Sequence, residues 1–466
     1  MGESNENGGS KVELKRTMSL PMIVVFGLAY LSPTTIFAYY GISTVGSSGM
    51  MTMACAITTV AMLFTAWSYV QMSQVFPNAG SVYTYTQHAI GPQVGFMAGW
   101  VMLLDYLIIP MECFLLMSIY INAYFPAIPK WACLLVLVGI SAVINVIGME
   151  MSSIIDTVIV AADVIVLFLF IIVVLKYVTG GGGSAMVFDR TAIYNAETFN
   201  FGSVMTIALT LTIAFLGFDA VTTMSEEAKD PKCIPKAILI VVIGAGVMYM
   251  IISYLCQIAW PNAYFEIVNE DSAVFELFDV MDANVTSNIF FITDNCASFT
   301  CAMSGMAAVS RMLYSMGRDN ILPKKVFGKL SPKWHTPILC ILIASAVQLC
   351  SLFFMDNYEG VVSLVSFGAM SGFALVNLSV IMYFYVKKKK RDAMSTFKFL
   401  ILPGIGFVIS VVLWCATERN TKIMGICWIV FGIIYLAFKT KGFRVLPDEL
   451  KVKEEEDEKA AGVEES

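Results

Sequence analysis

The sequence predicts an all-α polytopic membrane protein with twelve transmembrane helices. Hydrophobic residues make up 58% of the 466-residue chain and charged residues only 14%, and the mean hydropathy is +0.76. Soluble domains carry about 25% charged residues, so this chain cannot cover a surface that faces water. Its apolar runs are about 20 residues long, which is enough to cross a bilayer as a helix. They lack the period-two alternation of strands.

Twelve apolar runs account for most of the chain, and each is predicted to be one span. The spans cover residues 21–48, 51–72, 93–123, 131–149, 153–178, 203–225, 236–260, 286–312, 336–356, 360–386, 396–416 and 423–439. They divide the chain into a cytoplasmic leader (1–20), a first set of five helices (21–178), a second set of five (203–386), two additional helices (396–439) and an acidic cytoplasmic tail (440–466).

The placement of lysine and arginine predicts that both termini are cytoplasmic. If the N-terminus lies inside, nearly all of the 29 basic residues fall on the inner side, as expected for cytoplasmic loops. The exceptions are Lys130, Lys176, Arg190, Arg419 and Lys422. Residues 1–20 are mostly polar, so they are not expected to form a cleavable signal peptide.

Two of the predicted spans are interrupted near their middle. Span one carries Pro33, and span six carries Gly217 followed by Asp219. A proline inside a helix frees backbone groups that lipid cannot satisfy, so the protein or a ligand must satisfy them. The two spans are five apart in order, and such paired breaks point to a transporter binding site near the bilayer midplane. A simple kink in each helix is the alternative.

Three segments resemble the amino acid–polyamine–organocation superfamily. Phe76-Pro-Asn-Ala-Gly-Ser-Val-Tyr-Thr-Tyr85 is similar to its inner-loop pattern P-x-A-G-(G/S)-x-Y-x-Y. The others are Phe215-Leu-Gly-Phe-Asp-Ala-Val-Thr-Thr-Met-Ser-Glu-Glu227 with Ile234-Pro-Lys-Ala-Ile, and Ser310-Arg-Met-Leu-Tyr-Ser-Met-Gly-Arg-Asp-Asn320 with Thr336-Pro. Within the superfamily the chain looks most like the bacterial putrescine importers, at Gly27-Leu-Ala-Tyr-Leu-Ser-Pro, Leu104-Asp-Tyr-Leu and Val376-Asn-Leu-Ser-Val.

The resemblance implies a five-plus-five inverted repeat with broken helices 1 and 6, two extra C-terminal helices and transport by alternating access. Spans one and six are then expected to line the substrate site, with spans three, eight and ten around it. The resemblance also implies import of putrescine or a related polyamine across the bacterial plasma membrane, driven by a proton or electrochemical gradient. No cofactor, metal or nucleic acid is expected.

Acidic residues inside the predicted spans point to a positively charged substrate. Asp105 and Glu112 lie in span three, Asp163 in span five, Asp219 in span six and Asp294 in span eight. No basic residue is predicted at comparable depth. Acids in a dry interior must be protonated, hydrated or matched by a cation from outside the sequence. A cationic substrate and a transported proton both supply that charge.

The spacing of the acids gives them different expected roles. Asp105 and Glu112 are two helical turns apart on one face, about 10 Å, which is close to the reach of a short diamine. Asp219 matches an acid that the superfamily carries after the second break, and the resemblance implies that it serves gating or proton coupling. Asp163 stands where some relatives place a lysine in an ion site. An acid there leaves both proton uptake and a sodium ion open.

These observations predict a substrate site and a coupling site. The predicted substrate-binding residues are Tyr30, Ser32, Pro33, Thr34, Thr35, Asp105, Tyr106, Glu112, Phe215, Gly217, Phe218 and Asp219. The predicted coupling residues are Asp163, Asp219 and Asp294. Aromatic rings near the breaks are suited to contact a cation through their π faces, and packing explains them as well. The expected partners are a small cationic substrate, a coupling ion and membrane lipid, with the protein as a monomer or homodimer.

An amino acid permease or exchanger on the same fold is the main alternative. Its substrate's α-carboxylate would bind free amides at the first break, near the positive end of a helix dipole. Pro33 removes one such donor. An enzyme is not expected, because the 2 histidines and 11 scattered cysteines offer no catalytic pair or metal cluster. The cysteines show no paired spacing and are predicted to be apolar filler.

Overall fold

The computed structural model describes residues 16–440 except 78–80, 126, 269, 271–272, 319–321, 356–357 and 417–418. Most of the predicted leader and all of the acidic tail after Thr440 lie outside the described residues. The described part is nearly all helical and contains no strand, which confirms the all-α prediction. One isolated β-bridge joins Met18 to Ala228.

The α-helices are α1 (Leu20–Leu31), α2 (Thr35–Ala38), α3 (Tyr40–Gly46), α4 (Met51–Val75), α5 (Ser81–Ala89), α6 (Pro92–Tyr124), α7 (Lys130–Ile147), α8 (Met149–Thr179), α9 (Phe201–Thr210), α10 (Cys233–Ala259), α11 (Ala263–Glu266), α12 (Ala273–Val280), α13 (Asn284–Arg318), α14 (Lys324–Phe327), α15 (Ile338–Leu349), α16 (Tyr358–Val380), α17 (Ala393–Thr396), α18 (Leu402–Ala416) and α19 (Arg419–Lys439). Shorter 3-10 helices cover Arg190–Ala192, Leu211–Phe215, Phe218–Met224 and Cys350–Phe353. Segments Ile381–Lys387 and Phe397–Ile401 are π-helical.

Within the described residues, 10 helical segments are long and apolar enough to cross a membrane. They correspond to all but two of the predicted spans. Predicted span 286–312 lies in α13, which is long enough but is the least apolar of the long helices. Predicted span 336–356 corresponds to the apolar segment Ile338–Phe353, which is shorter than the other spans. Length and composition alone therefore support ten spans rather than twelve.

Helix α6 packs against α5, α7, α13, α15, α16 and α19. Glycines allow the close approach of two of these neighbours. A Cβ atom on Gly305 of α13 would lie 2.7 Å from Cγ of Pro110 in α6. A Cβ atom on Gly368 of α16 would lie 2.8 Å from the backbone nitrogen of Asp105. Small residues permit tight helix contacts in a membrane, so α6 is fixed on two sides near Asp105.

The first helix ends at the proline of span one. Helix α1 stops at Leu31, and Ser32 adopts a left-handed φ of 51°. Pro33 has no N–H to continue the helix and disfavours helical geometry at the residue before it. Helix α2 then begins at Thr35, whose hydroxyl donates to the Leu31 carbonyl at 2.8 Å. A side chain thus replaces part of the lost backbone hydrogen bonding.

Span six changes conformation at Leu216 and Gly217. Helix α9 continues as the 3-10 helix Leu211–Phe215, Leu216 is extended, and Gly217 has a φ of 106° before the next 3-10 helix starts. A Cβ atom on Gly217 would lie 1.8 Å from Cδ1 of Tyr30. Both the backbone conformation and this contact require glycine. Gly217 therefore brings the second break directly against α1.

Candidate functional site

Two carboxylates come together where α6 faces the second break. Asp105 lies in α6, and Asp219 lies in the first turn of the 3-10 helix Phe218–Met224. Both side chains are fully buried, and the two carboxylates are close enough to interact electrostatically. Tyr106 donates a hydrogen bond from its phenol to Oδ2 of Asp219. We call Asp105 and Asp219 the acid pair.

The two members of the acid pair differ in the hydrogen bonds that their carboxylates accept. Asp219 accepts the Tyr106 bond, and the backbone amides of its own turn lie near its carboxylate. Both oxygens of Asp105 lack a hydrogen-bond partner among the described residues, as do the phenols of Tyr30 and Tyr69. Both phenols interact electrostatically with the acid pair. In folded proteins roughly 90% or more of buried polar groups have a hydrogen-bond partner. Several neighbouring polar groups without one therefore indicate a place for a ligand or water.

Aromatic rings from three elements lie next to the acid pair. The Phe218 ring centroid is 5.4 Å from that of Tyr69 in α4 and 5.3 Å from that of Phe373 in α16. Aromatic faces attract cations, so this cluster suits the alkyl stem and the charge of an organic amine. Phe218 was predicted at the site, whereas Tyr69 and Phe373 were missed. No local motif marks either of them.

The two helix breaks are held together by side chains of other helices. The phenol of Tyr249 in α10 lies 3.0 Å from the carbonyl oxygen of Ala214 and 3.4 Å from that of Ser32. The ring of Phe215 packs edge-on against Tyr249, with centroids 5.3 Å apart. Phe215 thus takes part in the contacts that join the two breaks. Tyr249 was not predicted, because nothing in the sequence of α10 indicates which carbonyls it meets.

A second group of acids lies at the first break. The carboxylate of Asp294 in α13 lies near the Thr34 hydroxyl. Asp163 in α8 is buried, interacts electrostatically with Asp294, and has no hydrogen-bond partner for either oxygen among the described residues. The predicted coupling residues Asp163 and Asp294 are therefore neighbours, while Asp219 belongs to the acid pair.

Glu112 lies on α6 two turns beyond Asp105. Its side chain is half-buried and interacts electrostatically with Tyr39 and Cys113. At the first break, the hydroxyls of Ser32 and Thr34 are 3.3 Å apart. Among the described residues, no three or more His, Cys, Asp or Glu side chains are grouped so that they could hold a metal ion.

A buried ion pair joins the segment after span six to α13. Glu227 and Arg311 are paired through Oε1 and Nε, and both side chains are about 95% buried. The backbone of Met18 donates to the Glu227 carbonyl at 3.0 Å and accepts from the Lys229 amide at 2.9 Å. The segment before α1 is thereby tied to the same place. Arg311 was used to predict the orientation and lies in one of the segments that carry the family resemblance. Its pairing with Glu227 was not predicted, because that pairing depends on how α13 packs.

A second, more exposed ion pair lies beside the first. Nη1 of Arg318 lies 2.9 Å from both carboxylate oxygens of Glu226. The Arg318 side chain is 39% exposed and that of Glu226 is 21% exposed. These two pairs link consecutive acids to positions seven residues apart on α13, which is two helical turns.

Substituting Gly217 with alanine is expected to abolish measurable transport and to lower the unfolding temperature. The added methyl group would overlap the Tyr30 ring, and alanine disfavours the φ of 106°. Gly244→Ala is the matched control, because a Cβ there meets nothing within 4 Å. Solute uptake and thermal unfolding in detergent measure both effects. Equal behaviour of the two variants would show that the contact between the breaks is not needed.

The comparisons with known proteins agree on one family. The sequence matches the amino acid permease family over residues 22–419. It is 35% identical over 443 residues to the low-affinity putrescine importer PlaP of Escherichia coli (strain K12), covering 93% of this chain and 96% of that one. It is 25% identical over 458 residues to the branched-chain amino acid permease BcaP of Bacillus subtilis (strain 168), covering 92% and 94%. It is 24% identical over 409 residues to cationic amino acid transporter 4 of Mus musculus, covering 82% and 62%.

Proposed function

Because the chain belongs to the amino acid permease family, we propose that it is a secondary active transporter that imports putrescine or a related polyamine by alternating access. The superfamily inferred from the three sequence segments is confirmed. Its relatives are transporters, so the chain is a multi-pass membrane permease and not an enzyme. The substrate, the driving ion and the transport cycle are the proposed part.

The observation that carries the proposal is the excess of negative charge around the breaks. Asp105, Asp219 and Asp163 are buried, and the one buried arginine among the described residues is already paired with Glu227. Neighbouring carboxylates in a dry site cannot all remain ionised without a compensating charge. A polyamine supplies two or more positive charges on a flexible apolar stem. The stem then lies against the rings of Tyr69, Phe218 and Phe373.

The spacing along α6 fits a short diamine in an extended conformation. The acid at Glu112 is displaced from Asp105 by about 10 Å along the helix axis. An extended four-carbon diamine separates its nitrogens by about 6 Å, and each charge-assisted hydrogen bond adds about 2.8 Å. One ammonium group therefore binds the acid pair, while the other points towards Glu112. A substrate with a single amine engages only one end.

Proton coupling fits the acids that the substrate does not neutralise. Asp163 and Asp294 are neighbours next to Thr34 at the first break. Each proton taken up there removes one unit of repulsion between the carboxylates. Asp219 is the second candidate, since Tyr106 and its own turn hold its carboxylate beside Asp105. Proton-driven import follows if one of these groups is protonated outside and deprotonated inside.

The proposed architecture contains two five-helix repeats, over residues 21–178 and 203–386, with two further spans over residues 396–439. It requires that α13 and Ile338–Phe353 also cross the membrane, to give twelve spans. The polar residues of α13 then face the protein interior, where Asn295, Ser304 and Arg311 are buried. Both termini lie in the cytoplasm. The Glu227–Arg311 pair then closes the cytoplasmic side of the site.

An amino acid permease is the second candidate, and the similarity to BcaP and to a cationic amino acid transporter favours it. A cationic amino acid would also place one positive charge at the acid pair. Its α-carboxylate would need free amides at the breaks. At the breaks, Tyr249 and Cys301 instead donate to carbonyl oxygens. The diamine therefore fits the described contacts better.

Uptake of labelled putrescine into proteoliposomes tests the proposed function. We expect saturable putrescine uptake that collapses when a proton uncoupler is added. We also expect cadaverine to compete strongly with putrescine for uptake. Alanine and glutamate are expected to leave uptake unchanged, and arginine tests the second candidate. Uptake of an amino acid without any putrescine flux would overturn the polyamine assignment and leave the family unaffected.

A further inference from the structure

Two cysteines that are far apart in sequence meet beside the first helix break. Cys113 lies in α6 and Cys301 in α13, and both side chains are buried. The thiols of Cys113 and Cys301 are close enough to interact electrostatically. The thiol of Cys301 in turn donates to the carbonyl oxygen of Tyr30 at 2.8 Å. The two neighbouring thiols therefore lie at the last turn of α1, and Cys301 is bonded to Tyr30, which neighbours the acid pair.

The packing of α6 on α13 supports this pairing independently. The two helices are antiparallel along one seam. Gly305 approaches Pro110, with a built Cβ only 2.7 Å from its ring, and Phe299 packs on Phe114 with centroids 6.2 Å apart. The cysteine pair falls between these two contacts. These two contacts place Cys113 and Cys301 opposite each other on facing sides of the seam.

We propose that Cys113 and Cys301 form an oxidisable dithiol, and that its conversion to a disulfide switches off substrate transport. Each thiol gives up one proton and one electron, and a sulfur–sulfur bond replaces the two S–H bonds. A two-electron thiol oxidant of the azodicarboxamide type, such as diamide, accepts both electrons and both protons and becomes a hydrazine. The reaction is reversed by a dithiol reductant through thiol–disulfide exchange.

Loss of the thiol proton explains why the modification acts on transport. Once oxidised, Cys301 cannot donate to the Tyr30 carbonyl. That carbonyl lies in the last turn of α1, where Pro33 has already interrupted the helix. An unsatisfied carbonyl destabilises this arrangement of the break, and Tyr30 also contacts Gly217. The effect on uptake rests on the proposed function, whereas formation of the disulfide does not.

The experiment treats the purified, reconstituted protein with diamide, followed by peptide mass spectrometry and substrate uptake. We expect one cross-linked peptide pair joining Cys113 to Cys301, and a fall in uptake of about tenfold, consistent with one lost buried hydrogen bond. Dithiothreitol should restore uptake. The Cys113→Ser variant keeps the other cysteines but cannot form the bridge. Its uptake should therefore change by less than about twofold on diamide treatment. Cys301→Ser keeps a donor for the Tyr30 carbonyl and should be active and equally resistant.

Three results would overturn the proposal. The first is the absence of the cross-linked peptide from the treated wild-type protein. The second is a complete disulfide with unchanged uptake. The third is equal inhibition of wild type and Cys113→Ser, which would assign the effect to other cysteines. If neither reduced nor oxidised protein transports putrescine, the proposed substrate fails, and the peptide analysis still decides whether the dithiol forms.

Discussion

Replacing Asp105 with asparagine is expected to raise the KM for putrescine about a hundredfold, since a buried charge pair contributes several kcal/mol to binding. Both Asp105 oxygens lack a partner among the described residues, whereas Asp219 is supported by Tyr106. Asparagine keeps the size of the side chain and removes its charge. Folding should be preserved, because no described hydrogen bond is lost. Initial rates of labelled putrescine uptake measure the change.

Asp279→Asn provides the matched control for this substitution. Asp279 is an exposed acid in α12, so its neutralisation should leave both KM and thermal stability unchanged. Thermal unfolding and gel filtration establish that both variants are folded. If Asp105→Asn transports putrescine with the wild-type KM, the charge of Asp105 does not contribute to substrate binding.

Neutralising either member of the Glu227–Arg311 pair is expected to destabilise the protein by about 3–5 kcal/mol. Glu227→Gln leaves a buried guanidinium without its counter-charge, and Arg311→Gln leaves a buried carboxylate. The same pair anchors the segment at Met18. Transport should fall together with stability, because the pair joins the segment after span six to α13. The double variant Glu227→Gln/Arg311→Gln should be more stable than either single one.

The neighbouring Glu226–Arg318 pair is the control for burial. It is partly exposed, so Glu226→Gln should cost less than about 1 kcal/mol. Chemical denaturation in mild detergent compares the four variants. If the double variant loses as much free energy of unfolding as the two single variants together, Glu227 and Arg311 act independently. If Glu226→Gln loses as much stability as Glu227→Gln, burial of the pair is not the cause of the loss.

Local sequence was sufficient for the features that depend on single residues. Pro33 and Gly217 mark the positions at which helical hydrogen bonding is interrupted in the structure. Their backbone chemistry acts where they stand and needs no knowledge of neighbours. Asp105 and Asp219 were singled out because a charged side chain within an apolar run is energetically costly whichever way it points. These residues lie close together in the structure.

Features that depend on the rotation of one helix against another were not predictable from the sequence. Tyr69 and Phe373 are aromatic residues within apolar runs, and only the packing of α4 and α16 brings them to Phe218. Cys113 and Cys301 looked like apolar filler, because their sequence separation carries no pairing signal. Helix α13 also lacks the apolar character of the other spans, since several of its polar groups are buried against protein.

A structure of the protein with putrescine bound, in a lipid nanodisc, tests substrate recognition by the acid pair most directly. We expect an ammonium nitrogen within about 3 Å of a carboxylate oxygen of Asp105 or Asp219. The alkyl stem should lie against Tyr69 and Phe218, and the second nitrogen should point towards Glu112. Putrescine bound away from both carboxylates, or an amino acid bound through its α-carboxylate at the first break, would contradict recognition of the substrate by the acid pair.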